Sequence, residues 1–123
     1  MFANCTSLKS LYFPKINAPG LDSTENMFFG CSKLKHLDMG NFTTSDAELY
    51  NLKNMFYNCI NLEYLDISKL YFEQGIYEGI FYGVGKNKFS VELKFHYKCD
   101  LEFQMKLDDM NIKDEKKNNY GVS

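Results

Sequence analysis

Residues 55–67 are the unit on which this chain is built: Met55-Phe56-Tyr57-Asn58-Cys59-Ile60-Asn61-Leu62-Glu63-Tyr64-Leu65-Asp66-Ile67. The pattern stands earlier as Met27-Phe28-Phe29-Gly30-Cys31-Ser32-Lys33-Leu34-Lys35-His36-Leu37-Asp38-Met39, and it opens the chain as Met1-Phe2-Ala3-Asn4-Cys5-Thr6-Ser7-Leu8-Lys9-Ser10-Leu11-Tyr12-Phe13. A worn fourth copy begins Ile80-Phe81-Tyr82-Gly83-Val84. The starts at 1, 27, 55 and 80 lie 26, 28 and 25 residues apart. A chain that repeats at this interval folds as a stack of like units, since each unit can bury its apolar face only against its neighbours.

Within each unit the leucines give the local structure. Leu8, Leu11 and Phe13 follow the spacing L-x-x-L-x-L, repeated at Leu34, Leu37 and Met39 and at Leu62, Leu65 and Ile67. That spacing marks the strand of a leucine-rich repeat. Side chains alternate along a strand, so Leu11 and Phe13 turn inward while Ser10 and Tyr12 turn outward. Pro14, Pro19 and Gly20 make residues 14–20 an irregular connection. Asp22 with Glu25, and Ser45 with Glu48, read as helix caps. Leu49, Leu52, Met55, Phe56 and Cys59 share one helical face. Asn4, Gly30, Asn58 and Gly83 hold the position before the Cys or Val, and only Gly and Asn readily close a helix in the left-handed conformation. The expected fold is α/β: a leucine-rich-repeat solenoid of four coils, with short parallel strands on one face and short helices on the other.

The last unit departs from the rule. Gly85-Lys86-Asn87-Lys88 delays the strand, and Leu93 and Phe95 match Leu65 and Ile67 three residues late. Phe89, Val91, Leu93 and Phe95 alternate, as do Leu101, Phe103, Met105 and Leu107. Residues 89–107 therefore read as a β cap closing a 1–107 solenoid, as a hairpin or an added strand. Residues 108–123, with Asp114-Glu115-Lys116-Lys117-Asn118-Asn119, read as a disordered polar tail.

Composition excludes several function classes. The net charge of -2 gives no electrostatic reason to bind nucleic acid. No apolar run nears the ~20 residues of a membrane span, so no direct membrane insertion is expected. Cys5, Cys31 and Cys59 are one repeat position, filled by Val84 in the fourth unit. A slot that accepts valine is small and apolar, which a buried thiol suits, although stacked coils could also bring sulfurs within bridging reach. Cys99 lies outside the repeat. Met1 leads straight into repeat residues, so the chain is expected to be a fragment of a longer protein.

The string MFYNCINLEYLDI, preceded by FTTSDAELYNLKN, resembles the BspA-like leucine-rich-repeat surface proteins, including their mycoplasma-lipoprotein form, over roughly residues 1–95. Their unit runs M-F-x-G-C-x-x-L-x-x-L-D-L-S. The resemblance implies a non-catalytic, adhesion-type, protein-binding array on the cell surface or outside it. The expected partner is a host or neighbouring-cell surface protein. Tyr12 and Lys94 replace the acid of the L-D pair in the first and fourth units, so the acidic column is half present. The alternatives are spacer repeats of a surface stalk, or an intracellular leucine-rich interaction domain in the cytoplasm.

The outward strand face holds the candidate residues. Ser10, His36, Tyr64 and Glu92 form one expected column, and Tyr12, Asp38, Asp66 and Lys94 the next. Tyr12, His36, Asp38, Tyr64 and Asp66 are the expected partner-binding residues, with the tyrosines offering large contact area at low entropic cost. Asp38 and Asp66 on neighbouring strands are expected as a solvated acidic pair balanced by Lys35 and His36. Calcium needs more oxygens than can be named here. His36 and His96, and Cys99 near His96, make no nucleophile–base–orienter set, so no enzyme, cofactor or metal is expected.

Overall fold

The computed structural model describes residues 2–18, 21–44, 49–70, 75–88, 90–95, 103, 105–110 and 118–122. Strands run at Ser10–Tyr12 (β1), Ile16–Ala18 (β2), His36–Asp38 (β3), Phe42–Thr44 (β4), Tyr64–Ile67 (β5), Val91–Phe95 (β6) and Asn118–Val122 (β7). One five-stranded sheet has the order β1-β3-β5-β6-β7, and every pairing in it is parallel. A second, two-stranded parallel sheet joins β2 to β4. β2 lies in the connection expected to be irregular, where Ile16 pairs with Phe42 and Ala18 with Thr44.

The core follows the repeat. Leu37, Leu65 and Leu93 are paired across neighbouring strands and fully buried, as are Met39 and Ile67. Beneath them Phe28, Phe56 and Phe81 form a buried ring column with centroids 5.8 and 6.0 Å apart. The cysteine slot is a thiol slot: Cys31 Sγ donates to Phe2 O (3.0 Å) and Cys59 Sγ to Phe28 O (3.2 Å), and neither sulfur is in a disulfide. Each thiol thus bonds the carbonyl of the unit before it. Burial pushes the Cys31 and Cys59 thiols above their ordinary value, Cys59 farther. Cys99 lies outside the described residues.

The helices expected on the opposite face are absent from the described residues there, and turns replace them. Met27, Phe29 and Cys31 N–H donate three residues back, to Thr24, Asn26 and Phe28 carbonyls. The intervening N–H groups of Thr24, Asn26, Phe28 and Gly30 instead donate forward to Asn51, Lys53, Met55 and Tyr57 carbonyls, at 2.8–3.0 Å. An α-helix keeps these donors inside its own segment, so no such unit-to-unit ladder could form. The chain leaves the helical path because Asn26, Asn54 and Gly79 are left-handed (φ 58, 55 and 70°), four residues before Gly30, Asn58 and Gly83 (72, 58 and 74°). Leu49, Leu52, Met55, Phe56 and Cys59 are buried as expected, on a run of turns. Asp22 is no helix cap either: its carbonyl accepts from Tyr50 and Asn51 N–H, while Glu25 Oε1 accepts from Asn51 Nδ2 at 2.8 Å. The expected cap at Ser45 and Glu48 lies outside the described residues.

At the C-terminal end the second of the two expected arrangements, a strand added to the sheet, stands in place of a hairpin. β6 is parallel to β5, and Phe103 and Met105 are helical, followed by a 3-10 turn at Lys106–Asp109. Phe103 is fully buried, its ring 5.5–5.6 Å from those of Tyr77, Phe81 and Phe95. With Leu107 and Met110 it closes the core there. The segment expected to be a disordered tail supplies β7, which pairs with β6 from Val91↔Asn118 to Phe95↔Val122.

Candidate partner-binding face

Strand alternation and parallel register together position the outward residues. Ser10↔His36↔Tyr64↔Glu92 and Tyr12↔Asp38↔Asp66↔Lys94 are the observed partner columns, as the repeat predicts. The side chains do not simply stand along them. The Tyr12 ring leans back onto His36, with centroids 4.9 Å apart at 30°, and His36 stacks on Tyr64 at 4.3 Å and 7°. Lys94 Nζ lies 5.5 Å from the Tyr64 ring centre, within cation–π range. The face is therefore one diagonal ladder, Tyr12–His36–Tyr64–Lys94. The inner ring faces are occupied by one another, and Tyr12 at the end is 63% exposed.

Asp38 and Asp66 have a different task from the expected solvated pair. Asp38 Oδ1 accepts from Gly40 N–H (2.8 Å), and Asp66 Oδ1 accepts from Ser68 N–H (2.9 Å) and Ser68 Oγ (2.6 Å). Each carboxylate closes the turn that follows its strand, a local bond that Asp makes readily. Among the described residues no ion pair joins either one to Lys35 or His36. Gly40 is required by this packing, since a Cβ there would come 2.9 Å from Asp38 Oδ1 and 3.3 Å from Asp66 Oδ2. The first unit lacks both halves of the device: Tyr12 has no carboxylate and Pro14 no N–H. The spacing Asp-x-Gly and Asp-x-Ser was the available sequence signal.

Charge around the ladder is set by pairs. Lys88 Nζ lies 2.7 Å from Glu63 Oε1, and this bond holds the Glu63 carboxyl below its usual range. Partial burial in the stack, then the negative charge of Asp66, push the Tyr64 phenol up, opposed by Lys94. The Lys94 ammonium is held up, first by its hydrogen bond with Tyr64. Lys94, Lys88 and Glu63 thus belong to the face although none was among its five predicted residues.

Two further features carry no predicted residue. Phe29, Tyr57 and Tyr82 stack at 4.9 Å on the turn wall, with Tyr82 54% exposed. An apolar pocket of about 400 Å³ is lined by residues including Phe13, Ile16, Leu21, Met27 and Phe42. Among the described residues no three His, Cys, Asp or Glu side chains gather as a metal ion would require. No helix there is long and apolar enough to cross a membrane. Comparison with protein-family models, curated proteins and solved structures returned no match.

Proposed function

We propose that this chain is a non-catalytic, protein-binding module: a leucine-rich-repeat solenoid of the BspA-like kind, serving adhesion at a cell surface through its outward strand face. One observation carries the reading. Four parallel strands hold Tyr12, His36, Tyr64 and Lys94 as a contiguous ladder on a rigid, regularly spaced surface. Aromatic side chains so fixed lose little entropy when a protein partner covers them. Surface placement and a host or neighbouring-cell protein as partner follow from the resemblance of the repeat. Asp38 and Asp66, tied into turns, act here by shaping the face rather than by touching the partner.

That same engagement favours a second reading, spacer repeats in a surface stalk, in which the ladder serves only to join units. The test compares two variants with the parent in capture and cell-adhesion assays. Tyr12→Ala/His36→Ala/Tyr64→Ala removes the ladder, and Tyr82→Ala trims the opposite wall. A partner lost by the first and kept by the second supports the binding module. Undiminished capture and adhesion by a folded triple variant establishes the spacer.

A further inference from the structure

Two stretches carry the Asn-x-Thr pattern of an N-glycan acceptor, Asn4-Cys5-Thr6 and Asn41-Phe42-Thr43. The fold treats them differently. Asn4 is left-handed (φ 59°), and its Oδ1 lies where a Gly30 Cβ would stand. A substituent on an amide nitrogen takes the trans position, which sets it beside the carbonyl oxygen. A sugar on Asn4 Nδ2 is thereby aimed into the contact of Asn4 with Gly30.

Asn41 stands in the turn between β3 and β4. Phe42 N–H donates to Met39 O (3.0 Å) and closes that turn, while Asp38 Oδ1 holds Gly40 N–H at 2.8 Å. Ile16 N–H donates to Asn41 O (3.0 Å), so the backbone of residue 41 is anchored to the unit before it. Its side chain is exposed, and Gly40 beside it has no side chain to crowd a sugar. Lys15 and Lys69, at the same place in the units on either side, are exposed as well. Phe42 is buried, and strand alternation turns Asn41 and Thr43 together to the other side.

We propose that Asn41, and not Asn4, is an N-glycan acceptor of this chain. The inference rests on the surface placement proposed above, because the oligosaccharide donor is met along the export route. In the transfer, Asn41 Nδ2 bonds to the anomeric carbon of an oligosaccharide carried on a lipid pyrophosphate. The bond from that carbon to the pyrophosphate oxygen breaks, and the lipid pyrophosphate leaves with the electron pair. The amide nitrogen gives one proton to a base of the transferase. Thr43 Oγ1 lies 3.3 Å from both Ile16 O and Asn17 Oδ1 in the folded chain. The hydroxyl that the acceptor pattern requires is thus free only before β4 docks on β2. The sugar is added to the entering, unfolded chain, and the exposed turn then accommodates it.

Translation of the 123-residue chain behind a cleavable signal peptide, with endoplasmic-reticulum microsomes, tests the proposal. The expected product bears one oligosaccharide, which peptide-N-glycosidase removes with deamidation at position 41 in the mass spectrum. Asn41→Gln and Thr43→Ala should each abolish the modification, whereas Asn4→Gln should keep it. A translocated parent without glycan, or a glycan that persists in Asn41→Gln, overturns the proposal. Surface labelling of the cells that make the protein separates it from the reading on which it rests. A surface chain with bare Asn41 overturns the glycan proposal alone. A chain missing from the surface yet modified in microsomes overturns the surface placement alone and leaves Asn41 as the acceptor.

Discussion

Asn58 and Gly83 hold the same place in successive units, and the Asn58 carboxamide fills the space that a Gly83 Cβ would need. Asn4 stands over Gly30 in the same way, and Asn54 over Gly79. Both members of each pair are left-handed. The turn wall is thus held by conformation and by shape together. Gly83→Ala meets both penalties, an αL alanine and a collision with Asn58, and should cost about 1–3 kcal/mol in urea-induced unfolding. Gly83→Asn relieves only the first, so it should also destabilise; a parent-like midpoint in both would refute the interlock.

Leu65 lies at the centre of the parallel ladder, fully buried between Leu37 and Leu93. Leu65→Ala should cost ~2–5 kcal/mol by leaving a cavity. Thermal and chemical melts measure it, and parental stability would contradict the observed register.

The turn bonds of Asp66 separate folding from recognition. Asp66→Ala leaves Ser68 N–H without its acceptor and should destabilise by about 1–2 kcal/mol, while Asp66→Asn keeps an acceptor and should lose less. If partner capture falls in Asp66→Ala at temperatures where the variant is fully folded, this carboxylate touches the partner and the turn-closing role is not its whole role.

Thiol reactivity should follow burial. Cys5 is half-buried, whereas Cys31 and Cys59 are buried, and burial opposes thiolate formation in both. Brief alkylation of the native chain, mapped by mass spectrometry, should label Cys5 first, then Cys31, with Cys59 last. Equal labelling of all three before unfolding would show that the slot opens.

The Glu63–Lys88 pair predicts a pH dependence. Its bond with Lys88 holds the folded-state pKa of Glu63 below the ordinary carboxyl value it has in the unfolded chain. The stabilisation is therefore present above that value and is lost as pH falls through the lower folded pKa. Melting temperatures on the acid side should drop less steeply in Lys88→Gln than in the parent. Identical acid profiles would exclude a contribution from the pair.

Much of this was legible in the chain. A strand has a side-chain period of two and the repeat supplies the unit starts, so columns such as His36–Tyr64 and Leu37–Leu65 follow from counting. The buried thiol slot follows from Val84 standing in for cysteine. The turn wall did not follow, because apolar spacing at Leu49, Leu52, Met55, Phe56 and Cys59 fits a helix and a run of turns equally. The deciding signal is the Asn/Gly restriction at Asn26, Asn54 and Gly79, four residues ahead of Gly30, Asn58 and Gly83.

The sequence by itself determined which residues enter the core, which strands become neighbours and in what register, since burial and alternation are local properties repeated at a set interval. Only the tertiary structure decided what fills the space between units. Backbone donors at Thr24, Asn26, Phe28 and Gly30 bond to the following unit, an option that exists only once that unit is in place. β7 runs at Asn118–Val122 against the edge that β6 offers, a pairing that no repeat position announces. Tyr12 rests on His36 rather than over Asp38 because a neighbouring ring lies within reach of its lean, a contact no count of residues contains.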